Sequence, residues 1–323
     1  MTPVPPPELR ERVGTIEGTE DEFELEGRMC HESIMASLPA GFSFDDKRVL
    51  DFGCGAGRTL RQFLDVADRN EIWGCDVHEP SIAWLREHLC PPLHAFVNDL
   101  EPPLLLDDSS FDLVYGLSVF THLADDWSAW LVELHRLLRA GGIAVITFLN
   151  EPMWNDLAGK PFFQDELKRA WDEDATGMLV TNYGLPQDDI GPVVYHSEWW
   201  LREHWGRAFD ILRLRRWGFA QEPGLRAGHG WVTMRKRDVA VDRAALEVPG
   251  PSGARELRAV QTNLAYVHRE MAAWRRLASA AGGAYEAAQA RADELAARLA
   301  QVDVPTPVPP PPPRRWRRAR ARG

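Results

Sequence analysis

The segment Val49-Leu50-Asp51-Phe52-Gly53-Cys54-Gly55-Ala56-Gly57-Arg58 restricts the fold of this chain more than any other. A short apolar run broken by one acid reads as a buried strand. Three glycines at alternate positions come next, and Thr59 to Val66 then reads as a helix. Glycine at a strand-to-helix turn lets the backbone bend sharply and approach a ligand with no side chain in the way. A dinucleotide-binding turn has the form G-x-G-x-x-G, with the pyrophosphate on the helix N-terminus. Here the third glycine comes one residue early, which argues against a dehydrogenase. At this point a glycine-rich turn with no ligand stays open.

Acids further along the chain narrow the choice. Ile72-Trp73-Gly74-Cys75-Asp76 reads as a second short strand ending in an acid. A carboxylate there accepts hydrogen bonds from both hydroxyls of a ribose. Equally, Asp76 caps a helix starting near Glu79-Pro80, where proline suits the first turn. A third acid stands in Phe96-Val97-Asn98-Asp99-Leu100, and Phe111 to Leu123 reads as a strand with the loop after it. The helix Trp127 to Leu138, the turn Arg139-Ala140-Gly141-Gly142 and the strand Ile143 to Phe148 complete the series.

In this order over residues 48–149, these motifs resemble the class I S-adenosylmethionine (SAM)-dependent methyltransferases, with a type 11/12/25-like domain. The resemblance implies an α/β fold: a Rossmann-like, seven-stranded sheet with helices on both faces. It also implies SAM as cofactor and a set of contacts. Gly53, Gly55 and Gly57 bring the backbone against the amino-acid end of SAM, with Cys54 between them. Asp51 orients that loop or takes the ammonium, and Arg58 aids the carboxylate. Asp76 holds the ribose beside Val77, Asp99 takes the adenine amino group between Asn98 and Leu100, and Leu117 and Ser118 flank the site through backbone atoms.

Charge and composition bound the partners. The last ten residues carry six arginines, so the net charge of −11 leaves −17 on the rest. An acidic body repels a phosphate backbone, which argues against nucleic acid as the main substrate. No run approaches the roughly 18 apolar residues of a membrane span, and the start Met1-Thr2-Pro3-Val4-Pro5-Pro6-Pro7 lacks the pattern of a secretory signal. Cys30, Cys54, Cys75 and Cys90 show no C-x-x-C pairing, so a disulfide framework and a zinc site are not expected. These features read as a cytoplasmic protein.

Along the chain, residues 1–47 read as an N-terminal extension, helical over Glu8–Val13 and Glu22–Leu38, and in similar methyltransferases such an extension covers the cofactor. The methyltransferase domain is expected over 48–237. Within it, 150–195 reads as an insertion capping the substrate, with a helix near Phe163 to Trp171. Ser197 to Phe209 reads as a helix, and Asp210–Arg216 and Gly230–Lys236 as an antiparallel closing pair of strands. A linker is expected over 238–252. From Leu257 to Val302 apolar residues alternate by three and four, a coiled-coil seam. It serves either self-association through 257–302 or packing back on the catalytic domain, with Gly282-Gly283 as a credible break. Residues 303–323 form a Pro/Arg-rich, disordered tail that meets an acidic partner or anionic membrane surface, or is simply solvated.

Methyl transfer is an in-line displacement at a carbon that the sulfonium has already activated, so alignment and exclusion of water dominate. A base is needed only where the acceptor loses a proton, as a sugar hydroxyl does. His196 is the first candidate and His122 the second. Asp125 and Asp126 read as first-turn acids, and no set of oxygen ligands for a metal emerges. Tyr195, Trp199 and Trp200, beside an acid-rich insertion, suit a carbohydrate. The chain also resembles, more loosely, bacterial methyltransferases associated with glycan and polysaccharide assembly. The expected reaction is therefore methyl transfer to a hydroxyl oxygen of a sugar or glycan. The alternatives are O- or N-methylation of a natural-product small molecule, and a coiled-coil scaffold carrying a degenerate methyltransferase domain.

Overall fold

The computed structural model describes residues 2–13, 18–150, 169, 171, 173, 175–181, 192–216, 229–250, 253–277 and 282–301. Strands β1 (Arg48–Phe52), β2 (Glu71–Asp76), β3 (His94–Val97), β4 (Phe111–Gly116) and β5 (Leu138–Leu149) are parallel, in the spatial order β3-β2-β1-β4-β5. Their near-continuous apolar sequences follow from burial on both faces. On one face Val49, Ile72, Leu113 and Val145 pack under α2 (Glu20–Ser37) and α3 (Glu79–His88). On the other, Leu50, Phe52, Val114 and Ile146 pack under α4 (Trp127–Leu137). A short helix α1 (Pro7–Arg12) precedes α2, whose N-cap Thr19 accepts a hydrogen bond from the Glu22 N–H.

Several expectations need correction. Among the described residues the sheet has nine strands, not seven. The two additional strands, β6 (Met178–Thr181) and β7 (Val193–His196), come from the segment expected to lie over the sheet as a cap. β7 joins β5 at Leu149↔Tyr195, and β6 pairs antiparallel with β7. The expected helix near Phe163 to Trp171 lies outside the described residues apart from Arg169 and Trp171. Leu60–Val66 winds as a tight 3₁₀ helix, and β5 begins at Leu138, so the expected turn is taken into a strand whose register shifts between Phe111 and Leu113. The helix after β7 is shorter than expected: α5 (Glu198–His204) has Ser197 as N-cap with no side-chain cap bond, and ends in a 3₁₀ turn.

The closing pair is present as β8 (Phe209–Arg215) and β9 (His229–Lys236), antiparallel to one another, with β9 antiparallel to β5. The expected linker contains α6 (Arg243–Glu247), capped by Asp242 and holding Leu246 in the core.

The seam beyond it is two helices, α7 (Gly253–Leu277) and α8 (Gly282–Gln301). Val260, Val267 and Met271 of α7 bury against Ala288, Ala292 and Leu295 of α8. Among the described residues the apolar stripe thus packs within one chain. Burial of each larger side chain contributes about 1.5–3 kcal/mol. The hairpin also docks on the α/β body: Arg291, almost fully buried, reaches Asp125 at 3.1 Å, and Glu256 meets His204 at 3.2 Å. Asp125 and Asp126, expected as first-turn acids of α4, pair with Arg291 and Arg243. Of the two roles expected for residues 257–302, these described contacts favour packing back on the α/β body over self-association. The Pro/Arg-rich tail lies outside the described residues. Among the described residues, no helix is long and apolar enough to cross a membrane.

Candidate functional site

A cavity of about 580 Å³ opens at the carboxyl ends of β1, β2, β4 and β5, within the size range of small-ligand pockets. It is lined by Asp51, Gly53, Cys54, Gly55, Arg58, Asp76, Val77, Asn98, Leu100, Leu117 and Ser118, eleven of the thirteen residues expected to hold a cofactor. Two stand apart. Asp99 is exposed and outside the lining, with its carbonyl accepting from the Asn98 side chain at 2.8 Å. A Cβ on Gly57 would lie 2.5 Å from Leu85, so this glycine lets α3 pack against the loop.

The loop after β1 is held by its neighbours. The N–H groups of Gly53 and Cys54 both donate to the Cys75 carbonyl, at 2.8 and 2.9 Å. Asp76 takes the Gly55 N–H on one carboxylate oxygen and the His78 N–H on the other, each at 2.8 Å. Gly53 has φ +79°, and a Cβ there would lie 2.3 Å from Val119. Gly53→Ala is therefore expected to cost about 1–3 kcal/mol of stability and to weaken cofactor binding. Thermal melts and titration with S-adenosylhomocysteine check both, and wild-type values for the two would refute the steric argument.

Asp51 is almost fully buried at the base of the cavity. Burial pushes its carboxyl from an ordinary 3.8 up to about 8; the 3.0 Å hydrogen bond donated by the Tyr115 hydroxyl opposes the shift, and the charge of Asp76 adds to it. The folded state thus holds a proton that the unfolded state releases above pH 3.8. Stability without ligand is then expected to fall as pH rises from about 4 to 8, by no more than about 1.4 kcal/mol per pH unit. Asp51→Asn should flatten that slope in urea unfolding between about pH 5.5 and 8; an unchanged slope would remove Asp51 as its origin.

Arg58 lines the cavity, but its guanidinium pairs with Glu26 of α2 at 2.5 Å, so its charge is engaged before any ligand enters. Arg12 and Val13 of the N-terminal extension also reach the cavity, and Val13 lies where a Cβ on Gly55 would be.

The histidines divide differently from the sequence expectation. His196 is fully buried, neither ring nitrogen has a hydrogen-bond partner among the described residues, and its ring packs between Trp200 and Trp205. Burial and the neighbouring His204 push its pKa down to about 3. It is absent from the cavity lining, and its expected role as base is corrected: β7 turns the side chain into the core. Tyr195, Trp199 and Trp200 are buried with it, so they offer no platform for a sugar ring.

His122, by contrast, lines the cavity. Its Nδ1 lies 2.9 Å from the Pro192 carbonyl. A carbonyl only accepts, so Nδ1 carries the hydrogen and Nε2 the lone pair. Burial lowers its pKa, with the Pro192 carbonyl opposing, which keeps the ring neutral.

Sequence reasoning missed His229. It begins β9 opposite Leu149 and lines the same cavity, with Nε2 3.0 Å from the Ser118 hydroxyl. Burial, with nearby His122 and Arg58, lowers its pKa to about 4. Ser118 itself sits at φ +60° with its N–H donating to Thr147 Oγ1 at 2.7 Å, a left-handed conformation uncommon outside glycine. The only sequence signal for His229 was its place at the head of an expected strand.

Residues 50–144 match the family model described as a methyltransferase domain. The match spans less than a third of the chain. Among solved structures, the chain is similar to a SAM-dependent methyltransferase from Methanosarcina mazei at 18% identity, with 63% of this chain and 96% of that one covered and a TM-score of 0.43. It is also similar to an S-adenosylmethionine-dependent methyltransferase from Mesorhizobium loti, at 18% identity over 66% of this chain and 100% of that one, with a TM-score of 0.44. A third is the 1,6-didemethyltoxoflavin-N1-methyltransferase of Burkholderia thailandensis, solved with 1,6-didemethyltoxoflavin and S-adenosylhomocysteine. There identity is 16%, coverage 73% and 92%, and the TM-score 0.44.

Proposed function

We propose that this protein is a SAM-dependent methyltransferase that transfers a methyl group to a hydroxyl oxygen of a small polar acceptor, a sugar or related glycan unit. The residues present fit the cofactor. A cavity of about 580 Å³ carries the Asp76 carboxylate and the Asp51 carboxyl, the first matching the hydroxyls of a ribose and the second a group whose proton a cationic ligand would help to displace. Val77 and Leu100 offer exposed apolar surface to the flat adenine, and Asn98 offers polar atoms at its edge. Arg12 and Val13 line the cavity beside Gly55 and would cover the amino-acid end. When bound, SAM supplies a methyl group on a positively charged sulfur, ready for in-line displacement.

The observation that carries the oxygen acceptor is His122, whose Nδ1–H is committed to the Pro192 carbonyl and whose lone pair is left on Nε2. As the acceptor oxygen forms its bond to the methyl carbon, its proton passes to that lone pair. The electrons of the broken carbon–sulfur bond stay on sulfur, giving the neutral thioether. The Ser118–His229 pair supplies a second polar contact for an acceptor with more than one hydroxyl. The four unpaired cysteines support a cytosolic setting.

The test is an acceptor screen with methyl-labelled SAM across monosaccharides, nucleotide sugars and polyols, with phenols and amines as contrasting classes. Label entering a sugar hydroxyl is the expected result. Label entering amines alone would overturn the oxygen assignment, since an amine already neutral at the pH of the assay needs no base for attack.

A further inference from the structure

We propose that the C-terminal hairpin is part of the acceptor half of the site, with Asn263 and Tyr266 as positioning residues for the wall that orients His122. This rests on His122 as the proton acceptor. The wall is β7. At its entrance the Pro192 carbonyl holds the His122 ring, and two residues on, the Val194 N–H donates to the Thr121 carbonyl at 2.8 Å. These two bonds fix both the backbone beside His122 and the direction of its imidazole.

β7 is weakly supported by the sheet. It has four residues and meets β5 at one register pair, and its other neighbour, β6, is equally short. A ladder of two short strands is marginal without further packing. The hairpin supplies that packing. Asn263 on α7 is buried, and its amide donates to the Met178 carbonyl at the start of β6. Tyr266 packs on the cluster of Leu149, Leu179, Val193 and Tyr195. Leu149 and Val193 themselves line the cavity, so Tyr266 of α7 packs on a cluster that forms part of the cavity wall. The cofactor half is held differently. Its loop is fixed by the bonds of Gly53 and Cys54 to the Cys75 carbonyl and of Gly55 and His78 to Asp76, in which neither Asn263 nor Tyr266 takes part.

The experiment uses full-length, ¹⁵N-labelled protein, with imidazole ¹H–¹⁵N spectra to read the His122 tautomer and calorimetric titration with S-adenosylhomocysteine to read the cofactor half. Asn263→Ala and Tyr266→Ala are expected to keep wild-type affinity for S-adenosylhomocysteine while His122 loses its Nδ1–H signature and moves toward tautomer-averaged shifts. Tyr266→Phe, which retains the ring, is expected to preserve that signature. The proposal is overturned if both alanine variants keep the wild-type His122 spectrum. It is equally overturned if they lose the cofactor as well, because the hairpin would then support the whole domain. A wild-type protein that binds S-adenosylhomocysteine but lacks the Nδ1–H signature would instead sink the assignment of His122 itself.

Discussion

Asp76→Ala is expected to weaken binding of S-adenosylhomocysteine by about 100-fold or more. Both carboxylate oxygens are already at work in the unliganded protein, one on the Gly55 N–H and one on the His78 N–H. Each such bond to a charged group contributes about 1.5–3 kcal/mol, and every 1.4 kcal/mol is about a factor of ten in affinity. Removing the carboxylate releases the glycine loop from the end of β2 and also removes the proposed partner for ribose hydroxyls. Asp76→Asn, which keeps one acceptor oxygen, should fall between the two. Asp99→Ala provides the contrast: an exposed side chain outside the cavity lining should change affinity little. Titration calorimetry on the three variants decides the matter. Affinity for Asp76→Ala within about a factor of two of wild type would take Asp76 out of the site.

His122→Ala is expected to lower kcat by about 10²–10⁴, the usual contribution of a positioned acid or base, with affinity for S-adenosylhomocysteine unchanged. Because burial holds the His122 pKa below its ordinary 6.5, the base stays unprotonated to lower pH than a free imidazole. Turnover should therefore persist into the mildly acidic range and fall only as pH drops through that lowered value. In the variant this acid limb should vanish. His196→Ala is expected to behave oppositely: its ring fills space between Trp200 and Trp205, so its loss should lower stability by a few kcal/mol as a core truncation does while leaving the pH profile in place. Steady-state rates from about pH 5 to 9 with an acceptor found in the screen separate the two. An unaltered acid limb in His122→Ala would reject it as the base.

Most of the cavity lining around the glycine loop was legible along the chain, and particular residues show why. Gly53, Gly55, Asp51 and Asp76 lie within one strand–turn–helix–strand unit, where neighbours in sequence are neighbours in space. Their spacing alone sets which backbone atoms and carboxylates converge. Asp99 and Gly57 were misjudged even there, because a side chain's direction at a strand end, and the choice between ligand and helix as a glycine's neighbour, depend on what packs alongside. The acceptor side was poorly legible. His196 and His122 looked alike as histidines near strand ends. Only the pairing of β7 with β5 and β6 turned one into the core and left the other on the cavity.

By itself, then, the sequence determined the parallel α/β core, the glycine loop and the acids around it, since these arise from local periodicity, backbone freedom and short-range spacing. Tertiary structure alone decided three things: the extension of the sheet by β6 and β7, the closing of the 3,4 seam within one chain, and the meeting of His122, Ser118 and His229. Each brings together residues far apart along the chain, as Ser118 and His229 are. Such encounters are set by how whole elements bury their apolar faces, a global condition that no local pattern carries.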